Sequence, residues 1–129
     1  MSDSRPRVTA WTAAHPLTPT EVDCATAVML KILDGKCKMH PGEKRRMAEL
    51  YDAVQAQPGV LLGGDVHALI ATARGGADDA LRNHIYEQRV LAESAISRPV
   101  MKAFKARIRA EGLFDDEQES TDDGAEENA

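Results

Sequence analysis

The sequence predicts an all-α protein, a small bundle of about five helices, and three observations support this. Apolar residues make up 43% of the chain but aromatic residues only 4%, so the core must be built from aliphatic side chains. In several segments these apolar residues recur at the three-to-four spacing of an amphipathic helix. Helix-start and helix-stop residues separate those segments, and only residues 8–11 resemble a strand. A chain of 129 residues suffices for one domain with a modest core.

Three regions differ in composition. Residues 1–16 are expected to form a flexible basic arm that carries Arg5, Arg7 and the single tryptophan, Trp11. Residues 17–114 are expected to form the helical domain, and residues 115–129 a disordered acidic tail. The arm either is pinned to the body by Trp11 or follows a phosphate backbone, and the sequence leaves both interpretations open.

The first helix of the domain has a complete start signal. Thr18 is the expected N-cap, Pro19 occupies the first helical position, and Glu21 can close a capping box. Gly35 is the expected left-handed residue at the end. The side predicted to be buried carries Val22, Ala25, Met29, Ile32 and Leu33.

Three further helices follow. The second is predicted to begin at Pro41 and to run to about residue 57, where Pro58 and Gly59 interrupt it. A short third helix is predicted over residues 65–74 with Asp65 as its cap. The fourth is predicted over residues 79–95, with Asp78 or Asp79 as its cap.

The fifth predicted helix, over residues 97–112, separates an apolar side from a basic side. Val100, Met101, Phe104 and Ile108 form the apolar stripe, and Arg107 flanks the basic one. The first turn of the second helix is also crowded with cations, which the helix dipole disfavours unless they are solvated or meet an anion. The predicted nucleic-acid-binding residues are therefore Arg98, Lys102, Lys105, Arg107 and Arg109, supported by Lys44, Arg45 and Arg46. The alternative is a solvated surface, or one that holds only the acidic tail.

The acidic tail changes how the net charge of −5 should be understood. Eight of the 21 acidic residues lie in residues 115–129, which contain no basic residue, so the remainder of the chain is mildly basic. The tail could compete with a nucleic acid for the basic helix, dock on a basic partner, or only increase solubility.

Other chemistry has weaker support. Cys37 and His40 have the spacing of one zinc-ligand pair, but a structural zinc site needs a second pair. His84 and Glu87 share a helix face without any sign of a pocket, and no phosphate-binding loop or hydrolase motif is present. We therefore expect no metal, no cofactor and no enzymatic activity. The N-terminus has no signal-peptide pattern and no segment approaches the ~20 apolar residues of a membrane span, so a cytoplasmic protein is expected.

The order of helices, basic helix and acidic end resembles that of small phage-type DNA-packaging or regulatory proteins, including small terminase subunits. The resemblance is one of architecture and assigns no residue a role. It implies a homo-oligomer that contacts DNA. The sequence thus predicts a non-enzymatic, nucleic-acid-associated factor. The alternative is a protein-binding adaptor or inhibitor that acts through its acidic tail or an apolar helix face.

Overall fold

The computed structural model describes residues 5–115, which form six α-helices and no strand. The all-α prediction is confirmed, and the predicted count of about five is one helix too low. The helices are α1 (Arg5–Ala14), α2 (Pro19–Leu33), α3 (Pro41–Val54), α4 (Gly64–Arg74), α5 (Asp79–Ala95) and α6 (Arg98–Ala110). No helix in this part of the chain combines the length and apolarity needed to cross a membrane.

Helix α2 is the centre of the bundle. Every residue from 22 to 30 is buried, and the helix contacts α3, α4, α5 and α6. Its start follows the sequence prediction: Thr18 accepts a hydrogen bond from the Glu21 amide, and the Glu21 carboxylate accepts one from the Thr18 amide. A helix surrounded by others must be small and apolar on nearly all sides, and α2 has that composition.

The expectation of an arm over residues 1–16 is wrong for residues 5–14, which form α1. The helix packs against α3 and buries Val8 in the core. Trp11 is half-buried, and its indole N–H donates to the carbonyl of Glu111, at 2.7 Å. These tertiary contacts hold a segment whose own apolar periodicity is weak, and residues 1–4 lie outside the described part.

The remaining helix starts agree with the prediction except at α4, and α3 ends at Val54, three residues before the predicted end at about residue 57. Asp78 and Ser97 cap α5 and α6 through their side chains. Helix α4 instead begins after Gly63, so Asp65 lies in its first turn and is not its cap. Its charge still interacts favourably with the positive end of the helix dipole.

The chain reverses after α6. Gly112 adopts a positive φ of 85°, and the Leu113 amide donates to the Ile108 carbonyl at 2.9 Å. This left-handed turn closes the helix and returns Leu113 to the core. The predicted acidic tail follows directly, and apart from Asp115 it lies outside the described residues.

Candidate nucleic-acid interface

Helix α6 is anchored on one face and basic on the neighbouring one. Phe104 and Ile108 are buried in the core, 2% and 0% exposed. The neighbouring face carries Arg98, Lys102, Lys105 and Arg109 at intervals of four, three and four residues, the spacing that aligns side chains along one helix face. The predicted basic stripe is therefore a continuous feature about 16 Å long, at 1.5 Å per residue.

Within the stripe, the four cations differ in exposure. Arg98, Lys102 and Arg109 are exposed, whereas Lys105 is half-buried. The guanidinium of Arg109 lies 3.8 Å from the Glu43 carboxylate and 5.5 Å from the Phe114 ring. Contacts this loose on an exposed side chain leave it able to meet a phosphate.

Lys105 is the most unusual cation of the set. Burial, followed by repulsion from Lys31, lowers the pKa of its amine below the ordinary lysine value. No acid among residues 5–115 forms an ion pair with it. Its amine is therefore partly desolvated and has no acidic ion-pair partner in the described part of the chain.

Arg107 has a structural role. Its guanidinium bonds to the Glu21 carboxylate, to Glu111 at 2.9 Å and to the Pro16 carbonyl at 3.2 Å. The hydrogen bond to Glu21 is the main reason that the pKa of Arg107 is raised. This network ties the end of α6 to the start of α2, so its cation is already neutralised by two acids.

The supporting cations of α3 divide in the same way. Arg45 is exposed and Lys44 is half-buried, but Arg46 is only 3% exposed. Arg46 donates to the Leu113 carbonyl at 2.9 Å and lies 3.8 Å from Glu49. The structure thus places Arg46 inside the molecule, where a backbone phosphate does not reach.

A basic cleft adjoins the stripe, at the C-terminal end of α2 and between the 36–40 connection, α5 and α6. Its volume is about 620 Å³. Two acids, Glu43 and Glu93, also lie in its wall. Its lining includes the cations Lys31, Lys36, Lys38, Arg89, Lys105 and Arg109.

Only part of this cleft is predictable from the sequence. Lys105 and Arg109 are among the predicted binding residues, but Lys31 and Arg89 belong to other helices, and only the fold brings them close to α6. Arg89 pairs with Asp34 and, at 3.0 Å, with Glu93. A Glu four residues away, as Glu93 is from Arg89, shows only that a cation has a local partner, and it does not reveal a shared cleft.

The candidate catalytic pair lies on the exposed surface of α5. His84 and Glu87 are 3.8 Å apart on the exposed side of α5, with their side chains 57% and 65% exposed. Asp52 is held by Arg74, at 2.5 Å. Among residues 5–115, no three His, Cys, Asp or Glu side chains are arranged to hold a metal ion.

The comparisons with known proteins add no family. No family model matches the chain, and neither the curated proteins nor the solved structures contain a match. The fold and the site therefore define only a class, an all-α protein with a basic helix face and an adjoining basic cleft.

Proposed function

We propose that this protein is a non-enzymatic, nucleic-acid-associated factor whose helix α6 contacts the phosphate backbone. The observation that carries the proposal is the alignment of Arg98, Lys102, Lys105 and Arg109 along one face of α6, beside the face that carries its buried residues. A rigid row of cations that neutralises several phosphates gives salt-dependent, sequence-independent affinity.

The neighbouring cations extend this surface. Arg109 reaches Glu43 in the first turn of α3, so the start of α3 lies beside the end of α6. Lys36, Lys38 and Arg45 are exposed in this neighbourhood. Helix α6 contains no Asn or Gln for reading base edges, which favours contact with the backbone over recognition of sequence.

The test is a salt series with fluorescent duplex and single-stranded DNA and the Arg98→Glu and Lys102→Glu variants. Each variant should weaken binding about tenfold for every DNA sequence and reduce the slope of log K against log salt by about 1. Arg82→Glu is the matched control, because Arg82 is 70% exposed on α5 and belongs neither to the stripe nor to the lining of the cleft. Equal affinities for all three variants and the unmodified chain would contradict the proposal.

The finer assignment is a cytoplasmic, phage-type DNA-packaging (small terminase-like) or regulatory protein. It rests on architecture alone, and the DNA-packaging role requires a homo-oligomer. Light scattering checks this requirement, because such a protein should give the mass of several chains and a regulatory monomer the mass of one.

A protein-binding adaptor or inhibitor is the second candidate. The observation in its favour is the set of exposed apolar side chains on α5, where Tyr86 and Val90 lie one turn apart and Leu91 follows, at 51%, 37% and 58% exposure. Exposed apolar side chains of this size that lie close together are typical of protein contacts. Truncation after residue 114 separates the two functions: an inhibitor that acts through its acidic tail loses activity, whereas a tail that competes with DNA leaves a truncated protein of higher DNA affinity.

A further inference from the structure

The basic cleft contains more cations than its surroundings neutralise. Arg89 is satisfied by Asp34 and Glu93, and Lys31 lies 3.7 Å from Glu93. In contrast, no acid among residues 5–115 forms an ion pair with Lys36, Lys38 or Lys105. Six cations line this concavity, against Glu43 and Glu93 in its wall and Asp34 bound to Arg89, and the excess of cations produces a positive local potential.

The excess of positive charge is most unfavourable at Lys105. It is half-buried and also lines a second depression, of about 460 Å³, beside the cleft. Its neighbours Lys31 and Arg109 are both positive, and both lower the pKa of its amine. A partly desolvated ammonium beside like charges is unfavourable unless an anion approaches it.

The geometry suits a compact anion. The cations come from four separate segments, α2, the 36–40 connection, α5 and α6, and they surround a concave space instead of following a line. The first turn of α3 also borders the cleft, and its N-cap, His40, makes no side-chain capping bond. The positive end of that helix dipole therefore adds to the potential. Apolar atoms of Val28 and Met39 complete the wall and weaken solvent screening.

We propose that this cleft is a discrete phosphate-binding site centred on Lys105. Its ligand is a phosphate group with two or more negative charges, either in a free phosphoanion or at the end of a nucleic acid chain. The volume of about 620 Å³ accommodates the phosphate together with the group that bears it. This inference goes beyond the proposed function, because it requires no contact along a nucleic acid backbone.

Pyrophosphate is the first probe, with the full chain and with Lys105→Met, which keeps the aliphatic stem but removes the charge. At 10 mM, pyrophosphate should raise the Tm of the unmodified protein by at least about 3 °C above a sodium chloride control of equal ionic strength. In Lys105→Met that rise should disappear, while the Tm without pyrophosphate should be equal or higher, because a desolvated charge is gone. Lys102→Met, one turn away on the exposed stripe, should retain most of the rise.

Titration calorimetry should show one pyrophosphate per chain and an association constant at least tenfold lower in Lys105→Met. The proposal is overturned if pyrophosphate does not stabilise the unmodified protein beyond the salt control. It is also overturned if Lys102→Met and Lys105→Met weaken the effect equally, because that result indicates diffuse attraction to the whole basic surface.

Two single-stranded oligonucleotides of one sequence, with a 5′-phosphate or a 5′-hydroxyl, distinguish the sources of the phosphate. A preference of about tenfold for the phosphorylated chain that disappears in Lys105→Met assigns the site to nucleic acid ends. Equal affinity for both oligonucleotides, or none for either, together with saturable pyrophosphate binding assigns it to free phosphoanions. In the latter case the cleft proposal stands even where the backbone-binding function fails.

Discussion

The carboxylate of Asp23 lies inside the protein, only 1% exposed, and organises a loop 37 to 39 residues away. It accepts hydrogen bonds from three consecutive amides, those of Val60, Leu61 and Leu62, at 2.8, 2.8 and 3.0 Å. These three donors replace the water that the buried carboxylate loses, so its hydrogen-bonding capacity is satisfied inside the protein. The loop can therefore expose Val60 and Leu61 while its backbone remains fixed.

Substitution of Gly59 tests how tightly this loop is held. A Cβ atom at Gly59 would lie 2.2 Å from Oδ1 of Asp23, whose carboxylate is held in place by the three hydrogen bonds. Gly59→Ala should therefore lower the free energy of unfolding by about 2 kcal/mol, through loss or distortion of those bonds. Gly42→Ala is the matched control, because it lies within α3 with open space around it and should add up to about 1 kcal/mol. Urea denaturation measures both, and a neutral Gly59→Ala would show that the loop adjusts freely.

Arg46 is a cation that contributes to the stability of the fold. Arg46→Met should cost about 3 kcal/mol, because the Leu113 carbonyl and the nearby Glu49 carboxylate would lose the guanidinium inside the protein. The exposed neighbour in Arg45→Met should change stability by less than about 0.5 kcal/mol. Thermal unfolding of the two variants measures the difference. Similar Tm values would contradict the structural role assigned to Arg46.

At the scale of elements, α1 closes the bundle by binding the end of α6. Trp11 donates to the Glu111 carbonyl, and Arg7 donates to the Asp115 carbonyl, both at 2.7 Å. The first and last described helices are thus joined through side chains and backbone, about 100 residues apart in the chain. The acidic tail begins directly at this junction.

Removal of the indole N–H tests the junction. Trp11→Phe should cost about 1 kcal/mol and increase amide hydrogen exchange at residues 111–115, because the Glu111 carbonyl loses its donor. Tyr86→Phe removes a polar group from an exposed aromatic residue of α5 and should leave both measurements unchanged. Unchanged exchange at residues 111–115 in Trp11→Phe would argue against a tie between α1 and α6.

The sequence could predict the elements whose signals are local. Thr18 with Glu21, Asp78 and Ser97 act within three residues, so the starts of α2, α5 and α6 follow from the sequence alone. Helix α1 is stabilised by packing against α3 and by hydrogen bonds to Glu111 and Asp115, which follow α6, and only the folded chain supplies these contacts. Periodicity could not reveal that, and it could not exclude a strand there either.

The same distinction applies to the candidate site. The stripe of α6 follows from spacing within one helix, and the structure shows it as expected. Arg107 could not be separated from it, because its partner Glu21 is 86 residues away. The cleft forms only where four segments of the folded chain come together. The sequence could therefore predict Lys105 as a binding residue, but it could not predict that Lys105 is half-buried.

At the scale of the whole molecule, stability depends on groups that ionise at alkaline pH. Burial, with Asp23 and Glu21 nearby, raises the pKa of Cys24 from 9.0 to about 11. Burial likewise raises the pKa of Tyr51 from 10.0 to about 12. Between its ordinary pKa and its raised pKa, each group is protonated in the folded protein but ionised in the unfolded chain, and this difference disfavours folding. Lys105 acts in the opposite direction, because its lowered pKa makes folding more favourable as pH rises toward its ordinary value of 10.5.

The raised pKa of Cys24 determines how the free energy of unfolding changes with pH. Below about pH 9 the thiol is protonated in both states, so its contribution is fully present there. As pH rises from 9 to about 11, the unfolded chain releases the proton first, and the free energy of unfolding falls by about 2 kcal/mol.

Cys24→Ala should have lower stability at pH 8 but a shallower decline between pH 9 and 10.5, measured by urea denaturation at each pH. Val22→Ala, a buried change in the same helix without an ionisable group, should lower stability at pH 8 and keep the original decline. If Cys24→Ala declined as steeply as Val22→Ala, the alkaline loss would belong to Tyr51 and to groups outside α2, and the thiol would contribute to packing alone.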